Sequence, residues 1–132
     1  MTETTRPTTV RVIADHTPGA HRTDSEDLWW WLPIIGPTAS ALAFLFARDA
    51  ATGETCWATD DLARMVGLAG NRSKLWQSLD RLHRFRVATF VSTDTLTIRL
   101  WLPALTDRQL AHLPTSMAAA YQQGGTQRLT TR

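Results

Sequence analysis

Residues 59–85, TDDLARMVGLAGNRSKLWQSLDRLHRF, constrain the fold of this chain most, because they carry two amphipathic segments separated by a glycine-bearing turn. Thr59 is suited to cap the first segment, and the two acids after it lie where the helix dipole favours negative charge. Gly67 can take the left-handed conformation that ends a helix. Asn71 can cap the second segment, whose leucines recur at i, i+4 and i+7. The predicted helices cover about 60–66 and 71–85.

The second predicted helix has a polar and basic face opposite its leucines. The leucine seam is Leu75, Leu79 and Leu82, and the opposite face carries Ser73, Lys74, Gln77, Arg81 and Arg84. Five basic residues between positions 72 and 86 oppose one acid, Asp80. A helix with such a face can lie in a DNA major groove, where Gln reads adenine and Arg reads guanine. An ordinary solvated helix face is the alternative, and the excess of one charge sign counts against it.

Net charge is distributed unevenly along the chain. The 132 residues carry a formal charge of +2 and are 43% hydrophobic, which suits one domain with a packed core. Residues 1–58 hold four arginines against seven acids, a net −3, whereas residues 59–132 hold ten Lys or Arg against five acids, a net +5. The positive half contains the two-helix segment, so this asymmetry favours an anionic partner for that segment.

An uncharged run of twenty residues, 28–47, is long enough to span a bilayer. Two prolines and a glycine interrupt it, so we interpret it as a short aromatic helix, a loop and a buried helix that ends near residue 50. The three adjacent tryptophans cannot all face one way, because neighbours on a helix differ by about 100°. We expect this cluster to pack mainly in the core together with Trp57 and Trp101, and at least one of the three to face outward or towards a partner. No membrane contact is expected, and without a signal pattern we expect a cytoplasmic protein.

Chemically reactive side chains are few and scattered. Cys56 is the single cysteine, so no internal disulfide can form, and a small buried apolar role is expected for it. The four histidines show no metal-ligand spacing, and His16 and His21 flank a Pro-Gly loop where surface positions are expected. The sequence contains no glycine-rich phosphate loop, nucleophile elbow or carboxylate pair. We therefore expect neither an enzyme nor a bound metal or cofactor.

Strand patterns flank the two-helix segment. Residues 55–58 are β-prone, and residues 87–92 and 95–102 form a predicted hairpin with a tight turn. In its second strand, alternate apolar residues share one face. Trp76, beside the leucine seam of the second helix, is expected to pack in the core.

The two ends of the chain are predicted to be less ordered than its centre. Residues 1–24 read as a flexible N-terminal arm with one short β-prone stretch near residues 10–13. Residues 106–132 read as a C-terminal helical extension followed by a polar tail. Short helices are predicted to begin near residues 106 and 114.

Two runs of residues carry a family resemblance: Thr59-x-x-Leu62-Ala63-x-x-Val66-Gly67-Leu68 and Leu75-x-x-x-Leu79-x-x-Leu82-x-x-Phe85-x-Val87. With the order helix, short strand, two helices, β-hairpin, they resemble a winged helix-turn-helix domain of bacterial transcription regulators such as the MarR-like families. The resemblance covers residues 37–102. It implies an α+β, mostly helical fold, with a winged domain over residues 25–105 and N- and C-terminal helical extensions. Arg86 departs from the pattern, because many such domains have glycine there and the junction is expected to differ in shape. Asp94 departs too, because it makes the hairpin tip acidic.

The resemblance implies sequence-specific binding of double-stranded DNA by a homodimeric transcription regulator, located in the cytoplasm and associated with the nucleoid in a bacterium. Predicted base contacts lie at the N-terminal end of the second helix: Arg72, Ser73, Lys74 and Gln77. Predicted phosphate contacts are arginines around it: Arg64, Arg81, Arg84, Arg86 and Arg99. Predicted dimer or partner contacts lie in the aromatic and C-terminal segments: Trp29, Trp30, Trp31, Met117 and Tyr121.

A winged domain can also serve as a protein-binding module, so the fold alone does not decide the function. In this alternative the aromatic N-terminal segment or the hairpin binds another protein, for example as a replication adaptor or as an antagonist of a regulator. The modest net charge, the acidic N-terminal half and the hairpin tip favour it. A basic surface confined to residues 71–85 would favour DNA instead.

Overall fold

Helices and two small β-sheets make up residues 6–123, the part of the chain that the computed structural model describes. The strands are β1 (Thr9–Asp15), β2 (His21–Arg22), β3 (Thr55–Ala58), β4 (Ala88–Phe90), β5 (Thr95–Arg99) and β6 (Trp101–Leu102). The α-helices are α1 (Leu32–Ile35), α2 (Pro37–Ala50), α3 (Thr59–Met65), α4 (Arg72–Arg84), α5 (Asp107–Leu110) and α6 (Thr115–Gln122). A 3-10 helix, Glu26–Trp31, precedes α1. The predicted α+β class is confirmed.

A four-stranded mixed sheet joins the N-terminal strand to the hairpin, in the strand order β3-β1-β5-β4. β1 runs antiparallel to β3, with Val10 opposite Trp57, and parallel to β5, with Val12 opposite Leu96. β4 and β5 form the predicted hairpin. A separate two-stranded sheet pairs β2 with β6, so the strand predicted over residues 95–102 is divided between two sheets.

The positions of β1 and β2 show that the flexible arm predicted over residues 1–24 is wrong for residues 9–15 and 21–22. Val10 and Val12 are fully buried, and β1 is hydrogen-bonded to a neighbouring strand on each side. The sequence indicated β-prone residues but not their partners, because β3 and β5 lie far along the chain. Residues 1–5 and the end of the predicted tail, residues 124–132, lie outside the described part.

The uncharged run folds as the 3-10 helix, the short α1 and the buried helix α2. The aromatic helix and the buried helix are as predicted, but Leu32–Ile35 is helical where a loop was predicted. Pro37 begins α2, and Ala50 ends it. Trp30 and Trp31 are buried, whereas Trp29 is 65% exposed, which confirms that the three tryptophans face different ways. Within residues 6–123, no helix has both the length and the apolarity needed to cross a membrane.

α3 and α4 form the predicted two-helix unit, and each end lies within one residue of the prediction. The leucine seam of α4 is fully buried. Asn71 caps α4 as predicted, because its Oδ1 accepts a hydrogen bond from the Lys74 amide at 3.1 Å. The cap predicted for α3 is wrong. Ala58 is the N-cap, and Thr59 lies inside the helix, where its hydroxyl donates to the Thr8 carbonyl at 3.1 Å.

Both helices of the unit end in the same hydrogen-bonded motif. After α3, the amides of Gly67 and Leu68 donate to carbonyls of the last turn at 3.2 and 2.8 Å. After α4, the amides of Arg86 and Val87 do the same at 3.1 and 3.0 Å. This Schellman motif requires a left-handed residue, and φ is +84° at Gly67 and +65° at Arg86. The expected difference at this junction is therefore wrong, because Arg86 takes the conformation that glycine would take.

The predicted C-terminal extension contains the two short helices α5 and α6. Thr106 and Gln109 form a capping box at the start of α5. From α6, the Tyr121 hydroxyl accepts a hydrogen bond from the Leu105 amide at 2.9 Å and lies 2.9 Å from His21 Nε2. These contacts attach the extension to the N-terminal part of the fold at β2.

Candidate nucleic-acid interface

The exposed face of α4 brings together the four predicted base contacts. Arg72, Ser73, Lys74 and Gln77 are all exposed, and they lie in the first two turns of the helix. They face outward because the opposite side of α4 is the buried leucine seam. The N-terminal end of a helix also carries partial positive charge. This end of α4 therefore offers hydrogen-bond donors and acceptors of the kinds that read base edges.

Three of the predicted phosphate contacts continue this face towards the C-terminal end of α4. Arg81, Arg84 and Arg86 are exposed, and within residues 6–123 their guanidinium groups form no ion pair or hydrogen bond. Asp80, the single acid of α4, lies 3.5 Å from Arg6. α4 and the two residues after it thus carry a row of positive charges that are unpaired within the described part of the chain.

The remaining two predicted phosphate contacts are engaged by other groups of the protein. Arg64 Nε lies 3.3 Å from Asp60 Oδ2, in an exposed pair one helical turn apart. The Arg99 guanidinium donates to the carbonyl oxygens of Trp101 at 2.9 Å and Pro18 at 3.1 Å. These bonds fasten the loop before β2 to the sheet, so part of the Arg99 guanidinium is already engaged within the protein.

The tip of the hairpin, residues 91–94, carries a negative charge. Asp94 Oδ1 accepts hydrogen bonds from the hydroxyls of Ser92 at 2.9 Å and Thr95 at 3.0 Å. These bonds lower the pKa of the Asp94 carboxyl below its ordinary value of 3.8, because they stabilise the ionised form. The tip is therefore anionic at neutral pH and would repel a phosphate backbone.

Arg6 lies beside α4, although no pattern in the sequence placed it there. Its guanidinium carbon is 4.9 Å from the centre of the Trp76 ring, and its Nη2 is 3.5 Å from Asp80 Oδ2. Trp76 is only 4% exposed, as predicted for a core position, and its ring stacks on Phe90 of β4 at 6.0 Å. The strand order brings residue 6 to α4, and strand order across distant segments leaves no spacing signal in the sequence.

The predicted dimer or partner contacts divide into engaged and exposed residues. Trp30 and Trp31 are buried, so they cannot reach a partner, and the prediction is wrong for them. Tyr121 is half-buried, and its hydroxyl is already occupied by contacts within the chain. Trp29 is exposed, and Met117 is half-exposed against the core. Of the five, Trp29 is the residue that the structure leaves most available.

An apolar groove of about 610 Å³ lies beside Trp29. Leu28, Leu32 and Phe44 also line it, and Phe44 is 39% exposed. Glu26 is an acidic member of the lining. Exposed aromatic side chains at an apolar groove are typical of surfaces that bind another protein.

His21 and Cys56 occupy environments opposite to those predicted. His21 is fully buried, with Nδ1 3.1 Å from Asp27 Oδ2 and Nε2 2.9 Å from the Tyr121 hydroxyl. These two hydrogen bonds hold His21 between the 3-10 helix and α6. Cys56 is exposed, although a buried position was predicted for it. His16 is exposed, as predicted. Across residues 6–123, no group of three or more His, Cys, Asp or Glu side chains could hold a metal ion.

Comparison of the chain with protein-family models, with curated proteins and with solved structures gives no match. The resemblance of residues 37–102 to winged helix-turn-helix domains therefore stays a prediction.

Proposed function

We propose that the chain is a winged helix-turn-helix protein that binds specific sequences of double-stranded DNA and regulates transcription in the cytoplasm. In this proposal α3 and α4 form the helix-turn-helix, α4 enters the major groove, and β4 and β5 form the wing. The observation that carries the proposal is the exposed face of α4, where basic side chains without partners adjoin polar side chains that can read bases.

The dimensions of α4 suit a major groove. Its thirteen residues extend about 20 Å at 1.5 Å per residue, and the groove is about 12 Å wide. Ser73, Gln77 and Arg84 fall close to one line along the helix, because they follow each other at i, i+4 and i+11. The acidic wing tip leaves most of the DNA contact to α4.

The experiment that tests this proposal is selection from a random duplex pool, followed by binding assays with two variants of α4. Arg81→Ala should weaken binding to every sequence and reduce the slope of log affinity against log salt by about one, because one phosphate contact is lost. Gln77→Ala should change the preferred sequence, because Gln77 is placed to contact a base. Both effects are measured by fluorescence anisotropy with the selected duplex.

Arg108→Ala is the matched control, because it removes an equal charge from an exposed position on α5. It should leave both the salt slope and the sequence preference unchanged. Absence of duplex binding at micromolar protein and low salt would exclude DNA binding as the function.

Protein binding through the groove beside Trp29 is the second candidate function, favoured by the 65% exposure of that tryptophan. If the chain binds DNA, we place a second copy of the chain on this surface, because a two-fold protein matches a palindromic site. If it does not, the same surface would bind a different protein.

Sedimentation equilibrium distinguishes these uses of the groove. If two copies pair through the groove, the natural protein is a dimer, Phe44→Asp converts it to a monomer, and Val91→Asp leaves the dimer intact. Val91 is the matched control because it is 60% exposed and does not line the groove. A monomer that fails to bind duplex would support the protein-binding alternative.

A further inference from the structure

A cavity of about 500 Å³ lies beside the first turn of α4. Arg6 lines it from before β1, and the first turn of α4 contributes Arg72 and Ser73. The side chains of Trp76 and Gln77 complete most of its wall. None of the residues lining this cavity is acidic, and two of them are arginines.

The chemistry of this wall favours an anion. Two guanidinium groups meet the N-terminal end of a thirteen-residue helix, where the dipole also favours negative charge. Trp76 also lines the cavity and is 4% exposed, and its indole Nε1 is a buried hydrogen-bond donor that has no acceptor among the described residues. A buried donor of this kind is stabilised when an acceptor reaches it.

The present contacts of Arg6 are weak enough to be exchanged. Its ion pair with Asp80 spans 3.5 Å, and the two side chains are 40% and 49% exposed. Solvent screens a pair of this exposure, so it contributes little to stability. The contact of the guanidinium with the Trp76 ring holds Arg6 at the edge of the cavity. Arg6 can therefore turn from Asp80 to an anion while staying beside α4.

We propose that this cavity binds a phosphate group between Arg6 and Arg72, with Arg6 exchanging Asp80 for the phosphate. Guanidinium groups suit this role because they donate two parallel hydrogen bonds to phosphate oxygens. The phosphate comes either from a DNA backbone or from a free phosphate compound. The first source rests on the proposed function, and the second does not.

Arg6→Ala tests the backbone source. It should weaken duplex binding and reduce the salt slope by about one, because one phosphate contact is lost. Arg11→Ala is the matched control, because Arg11 also lies in the N-terminal segment and also pairs with an exposed acid, Glu54, at 3.2 Å. It should leave the slope unchanged, and equal slopes in the two variants would exclude a backbone phosphate.

Asp80→Asn tests the exchange itself. It releases Arg6 and should tighten duplex binding in the natural sequence, but by a smaller factor in the Arg6→Ala background. The difference between the two factors is the coupling between the residues. An equal gain in duplex affinity in both backgrounds would mean that Asp80 acts only by repelling the negatively charged duplex. The proposal that Arg6 exchanges Asp80 for phosphate would then be wrong.

Inorganic phosphate tests the free source. At constant ionic strength, added phosphate should raise the melting temperature of the natural protein more than that of Arg6→Ala or Arg72→Ala, because a ligand that binds the folded state stabilises it. Comparison between variants removes the general stabilising effect of phosphate on proteins. If phosphate raises the melting temperature of the natural protein more than that of the variants but no duplex binds, the cavity remains a phosphate site and the DNA proposal is excluded. Duplex binding with no effect of Arg6 in either assay would exclude the phosphate site alone.

Discussion

Arg86 shows at the scale of one residue how a helix end can keep its geometry with an unfavourable amino acid. A Cβ atom makes the left-handed conformation costly by about 1–2 kcal/mol. Arg86 adopts it at φ +65° because the Schellman hydrogen bonds after α4 and the buried Val87 fix the chain there. The exposed guanidinium that results lies next to the basic face of α4.

Arg86→Gly should therefore raise the free energy of unfolding by about 1 kcal/mol, because the strain exceeds the entropy that glycine adds to the unfolded chain. The measurement is chemical denaturation. Gly67→Ala at the equivalent position after α3 should lower the free energy of unfolding by a similar amount. An added Cβ there meets no atom within 4 Å, so the loss would report backbone conformation alone. A glycine variant no more stable than the natural sequence would contradict this account.

At the scale of elements, the sequence predicted what depends on local signals. The bounds of α2, α3 and α4 follow from caps, prolines, glycines and apolar spacing. Each of these signals comes from residues that are close together in the chain. The cap at Thr59 was predicted wrongly because its hydroxyl is drawn to the carbonyl of Thr8, which belongs to another segment. The candidate site also has one part that local sequence signals predicted and one part that they did not. The face of α4 was readable from the sequence, whereas Arg6 reaches it through the strand order of the sheet.

β1 provides the test at this scale. Val12→Ala should lower the free energy of unfolding by about 2 kcal/mol, because Val12 is fully buried beside β5. Ile13→Ala, one position along the same strand, should cost less than half as much, because successive side chains point to opposite faces and Ile13 is only half-buried. Urea denaturation measures both. Equal losses would mean that both faces of β1 are buried to the same extent, which would contradict the packing of β1 described above.

At the scale of the whole molecule, Tyr121 connects the two ends of the described chain. Its hydroxyl is shared by the Leu105 amide and His21, and His21 in turn contacts Asp27. The Tyr121 ring also packs edge-on against Trp30 at 5.1 Å. The sequence could not indicate this link, because its members are a histidine of β2 and a tyrosine of α6, separated by most of the chain.

Tyr121→Phe should lower the free energy of unfolding by about 2 kcal/mol, because it leaves buried polar groups without a partner. The phenyl ring retains the contact with Trp30, so the loss reports the hydroxyl. Hydrogen exchange should show faster exchange at Leu105 and in α6, while α4 keeps its protection. Unchanged exchange at Leu105 would contradict a role for the hydroxyl in holding the extension.

The interior position of β1 also has a consequence for biosynthesis. β1 is translated early, but its parallel partner β5 ends at Arg99, which pairs with Asp15. α2, α3 and α4 are made from neighbouring residues and can form on the ribosome before that partner exists, because local contacts close quickly. The sheet can close only after β5 has been synthesised. During that interval one edge of β1 keeps unpaired backbone groups, and an edge of this kind can pair with a strand of another chain and lead to aggregation.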